Sequence, residues 1–363
     1  MAAEPLRVLA FTKYDREAAS TRQRLLQYLP SLQEAGIEVR YEPLLSNDYV
    51  RSLADGSPVS RTRILRAYGQ RLRLLLAQPP AHLIWVYAEL FPWLPAVFER
   101  LAFRPGLPVV YDWDDAFFVP YDEAPRPAVR HLLGGKLQPL MRGAAACTCG
   151  NAFLADYARR HCPRTLVVPT VVDTDRYVPV RQRRDAPLTI GWIGSPTTWR
   201  NVQPLLPVLR DLCQRLGARF RVVGAGRSAE ADRFAGMDLV DWSEAGEVAN
   251  VQAMDIGIMP LTDAPFERGK SGYKLIQYMA CGLPVVASPV GVNAEIVRAG
   301  ETGFLAQQPE EWGQALEQLA GDPALRQRMG AAGRERSVER YSLASQAPRL
   351  IELFRSVAGR AGT

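Results

Sequence analysis

Residues 268–297, RGKSGYKLIQYMACGLPVVASPVGVNAEIV, decide how the chain reads: a basic loop, a short helix pattern and a buried-strand pattern stand back to back. A helix starting near Gly272 sends Leu275, Ile276 and Met279 to one side, while Lys270, Lys274 and Gln277 fall at i, i+4 and i+7 as a polar stripe. The backbone N–H groups of Ser271, Gly272 and Tyr273, backed by the positive end of the helix dipole, suit a phosphate or diphosphate. LPVVAS, closed by turn residues on both sides, reads as a buried parallel strand. Of the 44 basic residues only four are lysines (Lys13, Lys136, Lys270 and Lys274), so two within five positions stand out in an arginine-rich chain.

Outward from that stretch, strand and helix patterns alternate. RVLAFT, EVRYEP, HLIWVYAE, LPVVYDWDD, AACTCG and TLVVPTVVD form a first series of strands. LTIGWIGS, ARFRVVGAG, MDIGIMPL, LPVVAS and GFLAQ form a second, and the tail from Pro309 carries helix patterns alone. Residues 177–187, polar, basic and flanked by proline, read as the linker between them. Two blocks of this kind predict two doubly wound α/β domains with ligands bound in an interdomain cleft, at the carboxyl ends of the strands.

A length of 363 residues and 47% hydrophobic content fill two cores. The opening MAAEPLRVLAFTKYD reads as a strand without a leader's apolar core, and no run approaches a membrane span, so the expected location is the cytoplasm. A net charge of +6 favours anionic partners without choosing among them. The five cysteines have neither paired CxxC spacing nor partnering histidines, and read as small buried thiols rather than a zinc site.

QYMACGLPVVASPVGVNAEIVRAGETGFLA resembles the C-terminal donor-nucleotide motif of the retaining glycosyltransferases of family 4, which have the GT-B fold. The resemblance covers most of the C-terminal half and extends loosely to the first. In that family an E-x7-E pair precedes MACGLPVV and handles the donor sugar and the ribose. Here Gln277 stands at the second position and Gly269 at the first, which marks a divergent branch. Gln277 can still hydrogen-bond a ribose, Glu267 is the acid placed to stand in, and Glu295 is a weaker candidate near the same rim. IGWIGSPTTWRN, residues 190–201, is similar to the family's first strand and loop of the second domain. There a glycine approaches the diphosphate, followed by an arginine and later a lysine; here Gly194 is followed by Ser195, and Arg200 holds the lysine position.

In the first half, VVYDWDDAFF delivers Asp112, Asp114 and Asp115 at the end of a strand expected to finish at Tyr111. Contacts to acceptor hydroxyls, a proton acceptor, and capping of the next helix are all open readings. After the first strand, Ser20 or Thr21 reads as a helix N-cap, and Arg22 could face an anionic acceptor or the diphosphate. Gly224, Gly226 and Ala229 fit G-x-G-x-x-A after a strand, the fingerprint of a dinucleotide site. In VSRTRILRAYGQRLRLLLAQ, Leu65, Tyr68, Leu72 and Leu75 share one face with arginines on the others, either a packed helix or one that touches an acidic membrane surface.

The resemblance thus implies a GT-B glycosyltransferase: residues 1–180 on the acceptor side, 187–340 on the donor-nucleotide side, and a last helix in 341–363 packing back on the first domain. The reaction implied is transfer of a hexose from a UDP-, GDP- or ADP-linked sugar to a sugar, lipid-linked or small-molecule acceptor, with retention. Neither a metal nor a nucleic-acid partner is implied, and the leaving diphosphate would be held by Arg200, Lys270 and Lys274. An NAD(P)-dependent oxidoreductase at the Gly224 loop, and a GT-B protein that binds without turnover, are the alternatives.

Overall fold

The computed structural model describes residues 4–180 and 186–359; part of the expected linker, residues 181–185, lies outside them. Contacts divide the chain into two compact units. The first comprises the chain up to Thr170, Gly269–Ser271 and the chain from Gln346; the second comprises Val171–Arg268 and Gly272–Ser345.

Unit 1 is built on six parallel strands: β1 (Leu6–Tyr14), β2 (Ile37–Leu45), β3 (Leu83–Tyr87), β4 (Val109–Trp113), β5 (Ala146–Cys149) and β6 (Thr165–Val167), in the order β2-β1-β3-β4-β5-β6. β3 and β4 are buried along their whole length, as their continuous apolar runs require. The last helix, Leu343–Gly359, lays Phe354 against Trp85 of β3, ring centroids 5.1 Å apart.

Unit 2 is a second six-stranded parallel sheet with a different strand order: β7 (Thr189–Ile193), β8 (Arg219–Val223), β9 (Met237–Val240), β10 (Ile256–Met259), β11 (Val285–Ala287) and β12 (Gly303–Leu305), ordered β12-β11-β10-β7-β8-β9. Counted within the unit this is the doubly wound order 3-2-1-4-5-6, so the strand order reverses between β7 and β10, where such sheets take ligands. Gly257 in β10 makes room for the ring of Tyr278, since a Cβ there would meet Cγ of Tyr278 at 2.2 Å. The helix Tyr273–Ala280 therefore sits close on the sheet, and the Tyr278 hydroxyl accepts from Ile193 N at 3.0 Å.

Several local expectations are corrected. β9 was not anticipated: it is a short strand at the sheet edge, mostly half-buried, with a weak apolar signal. Gly226 opens a 3-10 helix, Gly226–Asp232, instead of the α-helix a dinucleotide fingerprint needs. β4 runs on to Trp113, two residues past Tyr111. The first helix, Ala19–Arg24, has Ala18 at its N-cap, and the Thr21 hydroxyl donates to Tyr14 O at 2.8 Å, so neither Ser20 nor Thr21 is the cap. In the helix Arg61–Ala77, Arg71 and Leu75 are buried while Leu65 is 72% exposed. Arg71 displaces the expected pattern because its guanidinium donates to Leu90 O, Thr12 O and Glu42 O, which satisfies a buried cation without a carboxylate.

Candidate functional site

In unit 2 the chain leaves β7 at Gly194, where an added Cβ would meet the Trp192 indole at 2.3 Å and Thr198 Oγ1 at 2.9 Å. Ser195 then caps the 3-10 helix Pro196–Asn201 in a reciprocal capping box with Thr198, which fixes the turn. Arg200, on that helix, donates from Nη2 to Glu267 Oε1 at 2.7 Å; Glu267 is buried and the Arg200 side chain is 67% exposed. Arg200 follows β7 and Glu267 follows β10. The two strands flanking the reversal thus deliver one cation and one anion to the same point, with most of the cation left in solvent.

Lys274 lies in the first turn of the helix Tyr273–Ala280, its ammonium 5.7 Å from the centroid of the Trp192 ring. Trp192 is buried and is the same indole that Gly194 accommodates, so Lys274 and the Gly194 turn share one support. Gly272, at φ 68°, is the N-cap, and a Cβ there would strike Ile296 at 2.2 Å. Helix geometry gives the first-turn N–H groups of Tyr273 and Lys274 no intrahelical acceptor. A left-handed glycine, a helix start and a cation over an indole suit an anionic ligand.

Two candidates of this region are placed otherwise than the sequence suggests. Gln277 is not on an exposed stripe: it is 2% exposed, and its amide donates to Tyr177 Oη and Glu247 Oε1, both at 2.9 Å. Glu247 also accepts from Trp242 Nε1 at 2.7 Å and from the Tyr177 hydroxyl. Burial, then the neighbouring Tyr273 and Glu247, raise the Tyr177 pKa far above the ordinary phenol value, so Tyr177 stays a donor. Glu295 is exposed on the four-residue helix Asn293–Ile296, and its carbonyl accepts from Arg336 Nη2 at 2.5 Å.

Lys270 precedes the helix Tyr273–Ala280 rather than lying one turn along it, which removes the i, i+4 relation to Lys274. The segment Gly269–Ser271 groups with unit 1. There Asn151 Nδ2 donates to the carbonyls of Gly269 and Lys270, each at 3.0 Å, and a Cβ on Gly269 would meet Ala116 at 2.6 Å. Lys270 Nζ bonds both carboxylate oxygens of Asp115, at 3.0 and 3.1 Å.

The three acids after β4 have separate fates. Asp112 is 1% exposed and accepts from Arg24 through both oxygens, and from Thr148 Oγ1 at 2.6 Å. Arg24 in turn donates to Val168 O at 2.8 Å. Burial works against the Arg24 charge, but Asp112 more than offsets it, and the guanidinium is held ionised. This pair is architecture, which corrects the expectation of Asp112 at an acceptor. Asp114 accepts from the Tyr87 hydroxyl at 2.5 Å; burial first, then the charge of Asp115, push its pKa up to about 7. Asp115 is the partly exposed member, with a quarter of its side chain accessible. Arg22 closes the loop after β1 by donating to Arg16 O and Glu17 O at 3.1 and 2.8 Å.

The sequence reading did not single out Trp192, Arg24, Tyr87 or the Tyr177–Glu247 pair. A tryptophan two residues before a strand-end glycine was the one signal within reach.

Residues 187–322 match the family described as Glycosyl transferases group 1. An alpha-maltose-1-phosphate synthase of Mycolicibacterium smegmatis is 37% identical over 91 residues, 23% of this chain and 24% of that protein. The chain spans about a quarter of the length of the first curated relatives it matches. Across nearly all of both chains the fold matches a sucrose-phosphate synthase from Thermosynechococcus elongatus (TM-score 0.75, 17% identity, 98% of this chain and 100% of that one). It also matches Anabaena HepE in complex with UDP-glucose (TM-score 0.71, 14% identity, 97% and 100%). Two parallel six-stranded sheets give the chain the GT-B fold of these solved structures, and the second sheet carries the residues that match the group 1 family description.

Proposed function

We propose that this chain is a glycosyltransferase that moves a hexose from a nucleotide sugar to an acceptor hydroxyl with retention at the anomeric carbon. The observation that carries the reading is the meeting of Arg200, Glu267 and the Gly194 turn at the β7/β10 reversal, with Lys274 on the shared Trp192 support. A departing nucleoside diphosphate gathers negative charge as the sugar leaves. Fixed cations and backbone donors stabilise that charge more in the transition state than before it. Arg200, Lys274 and the N–H groups at the start of the helix Tyr273–Ala280 take this role, which asks for no metal. Glu267, buried under Arg200, orients the guanidinium and is the acid nearest the donor sugar in this reading. Asp114 and Asp115 serve the acceptor side, Asp114 as a group near neutrality that exchanges a proton.

Solved neighbours carry UDP and UDP-glucose, so UDP is the first base to test. In a thermal-shift panel of UDP, GDP, ADP and their sugar conjugates, one nucleotide at about 100 times its Kd should stabilise the fold by about 2.7 kcal/mol. If none of them raises Tm, the reading fails. Proton NMR of the first product reads the anomeric configuration, and inversion would remove retention.

The buried Gln277 favours one second reading, a GT-B protein that binds nucleotide without transfer. It predicts a Tm shift with no sugar transfer or donor hydrolysis. A cytoplasmic location fits the use of nucleotide sugars. Among the described residues no helix is long and apolar enough to cross a membrane.

A further inference from the structure

Unit 1 carries a second surface, and nothing in the donor reading uses it. The segment after β3, FPWLPAVFERLAFRPG, turns Trp93, Val97, Phe98 and Leu101 outward, and the neighbouring helix Arg61–Ala77 turns out Leu65 and Leu76; these six are 41% to 72% exposed. Leu65 and Leu76 are eleven residues apart, so they project within about 20° of each other on the helix. The two segments are tied at both ends. The Tyr68 hydroxyl donates to Pro92 O at 2.8 Å, and Arg104 Nη2 donates to Leu75 O.

Charge is sorted just as sharply. Between residues 56 and 106 the exposed charges are all arginines: Arg61, Arg63, Arg66, Arg73 and Arg100. Among the described residues, Arg63 alone of these five has a carboxylate within ion-pair distance, Asp48 at 3.8 Å. The two acids of the stretch, Glu89 and Glu99, are withdrawn into the interior, where Lys136 bonds them at 2.8 and 2.9 Å. Trp93 itself sits at φ 62°, a left-handed conformation disfavoured for a bulky residue. Tyr121 holds it there, accepting from Trp93 N at 3.0 Å and packing edge-on at 5.2 Å. Strain retained to keep an indole half in solvent marks a surface with work to do.

We infer that this face docks on an anionic lipid bilayer. Apolar side chains led by a tryptophan and ringed by arginines match a headgroup layer over hydrocarbon, and each cation near such a surface adds a several-fold gain in partition. A second copy of the chain fits less well, because a two-fold contact would set arginines against arginines. The inference is independent of the donor site.

Flotation of the full chain with vesicles tests it, using phosphatidylcholine alone and an equal mixture with phosphatidylglycerol. Binding is expected to the mixed vesicles only and to fall with added salt. Trp93→Ser with Phe98→Ser should lower it about tenfold or more, and Arg66→Ser with Arg73→Ser several-fold. Should the Trp93 variant melt early, Val97→Ser with Leu101→Ser, away from the strained loop, gives the same readout. No binding to mixed vesicles, or binding that survives these variants, overturns the inference. So does a concentration-dependent dimer that Trp93→Ser dissociates while vesicles stay unbound.

Discussion

The carboxyl ends of β4 and β7 each deliver charged residues at the edge of a parallel sheet, β7 beside the reversal of its strand order and β4 one strand away from the reversal between β1 and β3, yet they use charge in opposite ways. After β4 three acids arrive together and each is engaged inside unit 1: Asp112 by Arg24, Asp114 by Tyr87 and Asp115 by Lys270. After β7 a glycine turn arrives, its buried acid comes from another strand, and the cation Arg200 reaches solvent. Burial separates Asp112 and Asp114 from Arg200, while Asp115 with its Lys270 partner keeps about a quarter of its side chain accessible. A buried ion pair whose hydrogen bonds are satisfied reports on architecture, whereas a cation presented to solvent beside a fixed turn can meet a ligand without first breaking a bond of the fold.

The sharpest way to break this comparison is Arg24→Ala. It leaves Asp112 buried without its partner, and removing one member of such a pair costs about 3–5 kcal/mol. Urea unfolding should show a loss of that size. A loss near zero would mean that Asp112 is free to do something else, and would return it to the acceptor site.

Asp114 gives the next largest effect, and its sign is opposite to that of an ordinary salt-bridged acid. Its pKa is raised to about 7 in the folded protein, by burial and then by Asp115, against about 3.9 in an unfolded chain. Between these values the folded state holds the proton more tightly, so stability falls as pH rises from about 4 to about 7 and is then level. The span amounts to a few kcal/mol. Asp114→Asn keeps an acceptor for the Tyr87 hydroxyl and removes the charge. It should flatten this stretch of the Tm–pH curve and stabilise the protein at pH 8 more than at pH 5. An unchanged curve would show that Asp114 is ionised throughout.

Legibility in the sequence follows the same division. Strands announced themselves because parallel sheets need continuous apolar runs, and β3, β4 and β7 are buried at every residue. β9 escaped because a partly exposed edge strand needs no such run. At the site, Gly194 and Arg200 were picked out by the resemblance of IGWIGSPTTWRN to a family's loop and not by local pattern, and the structure sets Arg200 on Glu267. What spacing along the chain cannot carry is partnership at long range. Arg24 and Asp112 are 88 residues apart, Lys270 and Asp115 are 155 apart, and Gln277 turned inward because Tyr177, 100 residues earlier, supplies its acceptor. A polar residue in a helical stripe is drawn outward by default, and only the tertiary partner reverses it.

The two lysines of residues 268–297 bring the comparison down to its smallest effect. Lys274 stands over Trp192 at a helix start, where losing a charge-assisted contact to a diphosphate costs about 1.5–3 kcal/mol. Lys274→Ala should therefore weaken nucleotide binding at least tenfold in a titration, with little change in Tm. Lys270 holds Asp115, and about a fifth to a quarter of each side chain remains accessible. Solvent screens a pair of that kind, and its net contribution is about 1 kcal/mol or less. Lys270→Ala should lower stability by that small amount and leave nucleotide affinity within about twofold, since its charge is spent on unit 1. A tenfold loss of affinity in Lys270→Ala would show instead that the Asp115 contact gives way when nucleotide binds.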